Sequence, residues 1–151
     1  MSTPPQRAQS RTEDFGVNSL TEAVIGAAMR VHTALGPGLL ESAYEACVCH
    51  ELVKAGFSVR RQVTLPIIYD GIQIDAGYRI DLIVNDMLIV ELKCVERIIA
   101  VHEAQLLSYL KLSGKKVGLL INFHVPHLRD GIRRFVEGQT WNSSSVTSVV
   151  N

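Results

Sequence analysis

Asp81, Glu91 and Lys93 are the residues of this chain whose types and spacing could do chemistry together. They lie in one run, RIDLIVNDMLIVELKC from Arg79 to Cys94, which reads as two short apolar strands joined around Asn85-Asp86. Side chains alternate along a strand, so Glu91 and Lys93 share a face about 7 Å apart while Leu92 points away. The register decides where Asp81 falls. A two-residue loop pairs it with Val90 and turns it from Glu91, whereas a three-residue loop sets Asp81 opposite Glu91. The longer loop also gathers Ile80, Leu82, Val84, Leu88, Val90, Leu92 and Cys94 on one unbroken apolar face, and that pattern favours it. Arg79, Asp81, Ile83, Ile89, Glu91 and Lys93 then share the other face. Two adjacent carboxylates suit a hard divalent ion such as Mg²⁺, which takes one or two carboxylates and keeps several waters. A lysine beside them could orient or deprotonate a water, or neutralise a phosphate. The same three residues could equally form a surface salt bridge on a half-exposed sheet.

The elements that must hold this hairpin follow from hydrophobic periodicity. Residues 1–18, with Pro4-Pro5 and no period, are expected to be a disordered arm. Ser19-Leu20-Thr21-Glu22 reads as a capping box that opens a helix from Leu20 to Leu35, with Val24, Ala27, Ala28, Val31 and Leu35 as its apolar stripe. Gly36-Pro37-Gly38 ends it. A second helix is predicted from about Leu39 to Ala55, stopped by Gly56, with Leu40, Tyr44, Cys47, Val48 and Leu52 facing the core. Glu41 stands in its first turn, where the helix dipole favours an exposed carboxylate on purely structural grounds.

Val59 to Ile68 alternates as a strand, although Pro66 marks an edge or bulge. Asp70-Gly71 is the strongest hairpin signal in the chain. Three sequential antiparallel strands are therefore predicted, the last ending at Lys93 or Cys94. A helix from about Ala100 to Ser113 puts Gln105 and Tyr109 four apart on one face and turns Leu106 and Leu110 to the sheet. KVGLLINF, Lys116 to Phe123, is a continuous apolar strand buried on both faces, so strand, helix and strand form a crossover with a locally parallel pairing. His124 and His127 are expected as loop residues. Gly131 to Val136 fits either a short edge strand or a helical turn. The Ser/Thr-rich end from residue 138 to 151, with Trp141, reads as a flexible tail around a single domain of residues 19–137.

Composition excludes several classes. At 151 residues, with 47% apolar and 20% charged positions, the chain can bury one core and is not wholly disordered. No apolar run approaches the roughly 20 residues of a membrane span, and the start of the chain lacks an apolar signal stretch, so a cytoplasmic protein is the expectation. Cys47, Cys49 and Cys94 form no CxxC pair and are expected as reduced thiols. Net charge is zero, yet beyond residue 100 Lys111, Lys115, Lys116, Arg129, Arg133 and Arg134 outnumber Glu103, Asp130 and Glu137, which would suit either a phosphate-facing patch or a solvated surface. His102 has no serine or cysteine partner in a nucleophile motif, which argues against a covalent triad.

Asp81, nine intervening residues and then Glu91-Leu92-Lys93 resembles the signature of the PD-(D/E)XK nuclease superfamily, with Ile80 where a proline often stands. GLLESAY from Gly38 to Tyr44 fits the motif of the GxxExxY family within it, and HxxLGPGLLE, AQLLSYLKL and GLLINF extend the resemblance over about residues 21–136. The resemblance implies an α/β restriction-endonuclease-like core: two N-terminal helices, a three-stranded antiparallel meander, a crossover helix and a further strand. It also implies a metal-dependent nuclease acting on DNA phosphodiesters, with DNA favoured over RNA. Asp81, Glu91 and the Leu92 backbone carbonyl would bind Mg²⁺ or Mn²⁺, Lys93 would position the attacking water, and Glu41, like a glutamate on an early helix of related nucleases, would complete the coordination sphere. A QxxxY helix after the ExK strand recurs in a branch of these nucleases, which places Gln105 and Tyr109 beside the site. Tyr44 is expected to pack in the core with its hydroxyl holding Glu41 or Lys93. Cutting both strands from one small site would favour a homodimer. The rival reading is a catalytically silent module of the same fold that binds nucleic acid or a protein partner.

Overall fold

In the computed structural model, which describes residues 6–139, helix α1 runs Gln6–Leu35. Leu20, Val24, Ala27, Ala28 and Val31 are buried, as their three-and-four spacing requires. The helix does not open at Ser19: the expected arm is helical from Gln6 onward, and residues 1–5 lie outside the described residues. A capping box is a start signal only where the upstream chain cannot continue the helix. Here Gln6, Arg7, Ala8, Gln9, Arg11 and Glu13 are good helix formers and no proline interrupts the stretch, so an existing helix extends through it at one hydrogen bond per residue. Thr21 behaves as a helix-interior threonine, its hydroxyl donating to the Val17 carbonyl at 2.9 Å.

After Gly36 and Gly38, both at positive φ, helix α2 spans Glu41–Lys54 and buries Tyr44, Val48 and Leu52. Leu40, expected on that core stripe, is instead 77% exposed. It precedes the first turn with extended backbone, so the helical periodicity does not apply to it.

The main sheet has five strands in the order β1 (Val59–Thr64), β4 (Arg79–Val84), β5 (Leu88–Lys93), β6 (Val117–Asn122), β7 (Ile132–Val136). Strands β2 (Ile67–Tyr69) and β3 (Ile72–Ile74) form a separate two-stranded hairpin. Val59–Ile68 is therefore not one strand. Pro66 ends β1, the chain turns at Asp70-Gly71 with both residues at positive φ, and the Leu65 amide donates to the Tyr78 carbonyl at 2.9 Å where the excursion rejoins the sheet. The antiparallel meander of the main sheet is consequently β1–β4–β5.

β5 and β6 pair in parallel, joined by helix α3 (Ala100–Ser113), and β6 is buried along its whole length. Gly118 on β6 allows the close approach of α3: a Cβ there would stand 2.9 Å from Leu106 Cδ1. A 3₁₀ turn, Leu128–Gly131, precedes β7, so the Gly131–Val136 stretch resolves mainly into an edge strand antiparallel to β6. Helices α1 and α2 cover one face of the sheet and α3 the other. The result is a mixed α/β sandwich of restriction-endonuclease-like type.

The β4–β5 turn has three residues, Asn85, Asp86 and Met87, because Val84 pairs with Leu88. Asn85 and Asp86 both have positive φ, which these residue types tolerate, and the Asn85 carboxamide accepts the Ser58 amide. The register is thus the one that sets Asp81 opposite Glu91. One feature of the expected apolar face differs. Leu82, Val84, Leu88, Val90 and Leu92 pack under α1 and α2, but Ile80 packs on the opposite side with Val63, Leu65 and Ile83. The alternation breaks at Asp81.

Candidate active site

The break at Asp81 builds the site. The β4–β5 ladder ends at Leu82–Val90, and the β1–β4 ladder skips the Gln62–Asp81 position. Gln62 has φ 50°, a left-handed conformation that is rare inside a strand. The Asp81 amide, released from the ladder, donates to Glu91 Oε1 at 3.0 Å, and the Leu92 amide donates to Asp81 Oδ2 at 2.9 Å. Each carboxylate is thereby held by main chain of the neighbouring strand, and the two lie side by side.

Glu91 is 4% exposed. Burial first, and the Asp81 charge second, push its carboxyl up to about 9, so the metal-free site retains a proton on Glu91 at neutral pH. Glu41 faces the same group from the first turn of α2. Desolvation, then the charge of Asp81, raise its carboxyl above the ordinary value, while Lys93 opposes them. Lys93 Nζ donates to Gln105 Oε1 at 3.4 Å, and Gln105 Nε2 donates to the Tyr109 hydroxyl at 3.0 Å. Tyr109 is buried, and that burial together with Glu91 and Asp81 pushes its phenol up to about 12, which keeps the hydroxyl protonated. The sequence-derived residues Glu41, Asp81, Glu91, Lys93, Gln105 and Tyr109 therefore form one connected group.

Tyr44 does not join it. Its hydroxyl donates to the Gly36 carbonyl at 2.5 Å and accepts from the Leu39 amide at 3.1 Å, and its ring stacks on Phe123 with centroids 4.4 Å apart. The expectation that it holds Glu41 or Lys93 is corrected: it clamps the Gly-Pro-Gly loop and so fixes where Glu41 begins its helix. His124 and His127 lie exposed in the loop after β6. Among the described residues no three His, Cys, Asp or Glu side chains converge closely enough to hold an ion by themselves.

Three supporting residues carried no recognisable sequence signal. Glu45, one turn beyond Glu41, is 6% exposed and accepts both Arg61 Nε at 3.1 Å and Nη2 at 2.9 Å on one oxygen. Gln62 Nε2 donates to the other Glu45 oxygen at 2.5 Å and to Asp81 Oδ1 at 3.2 Å. Asn122, buried at the end of β6, accepts the Val95 and His124 amides and donates to the Val95 carbonyl at 2.8 Å, pinning the chain that leaves Lys93. His102 serves its own helix: Nδ1 accepts the Ile99 amide at 3.1 Å, which leaves the ring proton on Nε2. Burial, then Lys93, lower its imidazole, so it is neutral at pH 7.

Among these contacting groups four carboxylates, Glu41, Glu45, Asp81 and Glu91, face two cationic side chains, Lys93 and Arg61. Once Glu91 gives up its proton, the deficit is the charge of one divalent cation. Two clefts lie elsewhere. One of about 740 Å³ is lined by Asn18, Lys115, Lys116 and Arg134, and another of about 730 Å³ by His32, His127 and Arg129.

An acidic residue on one arm of a sheet hairpin, ExK on the other and a parallel crossover strand beyond define the restriction-endonuclease-like class. The PD-(D/E)XK nuclease superfamily profile matches residues 18–135, and the chain belongs to that superfamily, whose members are mostly nucleases and generally use divalent metals. Comparison with curated proteins and with solved structures returned no match.

Proposed function

We propose that this protein is a Mg²⁺- or Mn²⁺-dependent nuclease of the GxxExxY type that hydrolyses DNA phosphodiester bonds. The observation that carries the reading is the reciprocal main-chain locking of Asp81 and Glu91, side by side, with Lys93 on the same strand as Glu91. Two buried or half-buried carboxylates so close repel each other, and an arrangement that costs stability without a cation is a functional-site signature.

The donor set fits a hard ion. Asp81 and Glu91, with the Leu92 backbone carbonyl, would hold it, and Glu41 would reach it through water, since among the described residues no third His, Cys, Asp or Glu side chain is within chelating reach. When bound, such an ion neutralises phosphate charge and lowers the pKa of coordinated water. Lys93 orients the attacking water and gives its positive charge to the phosphate. Gln105 accepts from the Lys93 ammonium and restrains it, and the Tyr109 hydroxyl, accepting from the Gln105 amide, restrains Gln105 in turn.

A plasmid-nicking assay with Mg²⁺ or Mn²⁺ tests this. Wild-type protein should nick, and Lys93→Ala should lose about 10²- to 10⁴-fold in rate at an unchanged melting temperature. Cutting by Lys93→Ala at the wild-type rate, or persistence of activity in Glu91→Ala, would overturn the assignment.

A further inference from the structure

We infer that Gln62 is a positioning residue for the proposed metal site: its carboxamide, anchored by Glu45, holds the Asp81 carboxylate in its metal-binding orientation. The inference rests on the reading of Asp81 as a ligand. Three observations converge on it. Gln62 is the one residue of β1 with positive φ, at the position where the β1–β4 ladder skips its pairing with Asp81. A left-handed, non-glycine residue within a strand stores backbone strain, which persists only where the surroundings hold it. The strained backbone aims the side chain at the site, where a single Nε2 donates to Glu45 Oε1 at 2.5 Å and to Asp81 Oδ1 at 3.2 Å. Glu45 is itself fixed, with its second oxygen taken by two N–H groups of Arg61.

The arrangement gives each oxygen of Asp81 one donor, the Leu92 amide on Oδ2 and the Gln62 amide on Oδ1. Both restrict rotation of the carboxylate. Each oxygen retains a lone pair for an ion, because a carboxylate oxygen accepts more than one bond. A neutral amide suits this position better than a cation would. It binds two carboxylates without cancelling the negative charge that attracts a divalent ion. Conserving ligand orientation through such a supporting group is worth about 10- to 100-fold in metal affinity.

The test is Mn²⁺ titration by calorimetry on the full-length protein, wild type against Gln62→Gly and Gln62→Asn, with thermal unfolding of each in chelator. Glycine adopts φ 50° freely and asparagine tolerates it, so neither adds backbone strain, and unfolding in chelator reads separately the stability lost with the Glu45 contact. The expected result is Mn²⁺ affinity about 10- to 100-fold weaker in Gln62→Gly. Gln62→Asn, with its amide one methylene short of Asp81, should fall between the two. Equal Mn²⁺ affinity in wild type and Gln62→Gly would overturn the positioning role while leaving the metal site standing. Absence of Mn²⁺ binding by the wild type would overturn both.

Discussion

Replacing Glu91 by Gln should stabilise the metal-free protein and at the same time remove its response to metal. Glu91 is buried beside Asp81, its carboxyl raised from 4.5 to about 9. In the unfolded chain the same group is ionised above pH 4.5. Between 4.5 and 9 the folded state must therefore take up a proton that the unfolded state does not hold, at about 1.4 kcal/mol for each pH unit. At pH 7 the cost is about 3 kcal/mol. Because the folded value is the higher one, the stability is fully present below pH 4.5, declines as pH rises, and levels off above about pH 9. Glutamine needs no proton. Its Oε1 can accept the Asp81 amide as Glu91 does, and its NH₂ can donate to Asp81 in place of the carboxyl proton. The assay is urea unfolding in chelator at pH 5 and pH 8. Wild type should lose about 3 to 4 kcal/mol between them from this group, whereas Glu91→Gln should lose far less and exceed the wild type at pH 8. Added Mn²⁺ should raise the wild-type midpoint and leave that of Glu91→Gln unmoved. A variant no more stable than wild type at pH 8 would refute the account of Glu91 as a buried, cation-seeking acid.

Three further outcomes follow from the same geometry. Mn²⁺ binding at pH 7 should release about one proton, because the ion displaces the one on Glu91, and apparent affinity should rise with pH up to about 9; calorimetry in buffers of different ionisation enthalpy reads the proton count. Tyr44→Phe should cost about 1 to 2 kcal/mol in urea unfolding, through loss of the Gly36 and Leu39 contacts, with Mn²⁺ affinity of the folded protein within about twofold of wild type. Asn122→Ala should cost about 1 to 3 kcal/mol by removing the partner of the half-buried Val95 amide and carbonyl; hydrogen exchange should show increased opening at residues 93–95.

Alternation, turn chemistry and apolar volume were legible without coordinates. The odd-and-even pattern of Arg79 to Cys94 selects the three-residue turn, since a one-residue slip would move every apolar side chain to the wrong face. The same logic places α3 and the fully buried β6, because a continuous apolar strand after a helix has to sit inside a sheet. Asp81, Glu91 and Lys93 were readable as candidates from their types and spacing along the hairpin, whereas Gln105 and Tyr109 stood out only through the resemblance of their helix to the QxxxY helix of related nucleases. What the sequence left open is set by contacts between elements. Ile80 crosses to the other side of the sheet because Gln62, from another strand, interrupts the alternation at Asp81, and no local pattern encodes that. Tyr44 turns to the Gly36 loop rather than to Lys93 because Phe123, far along the chain, supplies its stacking partner. Glu45, Gln62 and Asn122 look like ordinary polar residues until folding buries two of them and gives all three a shared purpose. Spacing along a chain determines which face a side chain occupies; only packing of distant segments determines which dipoles and charges meet there, because desolvation and hydrogen-bond geometry exist between elements and not within one.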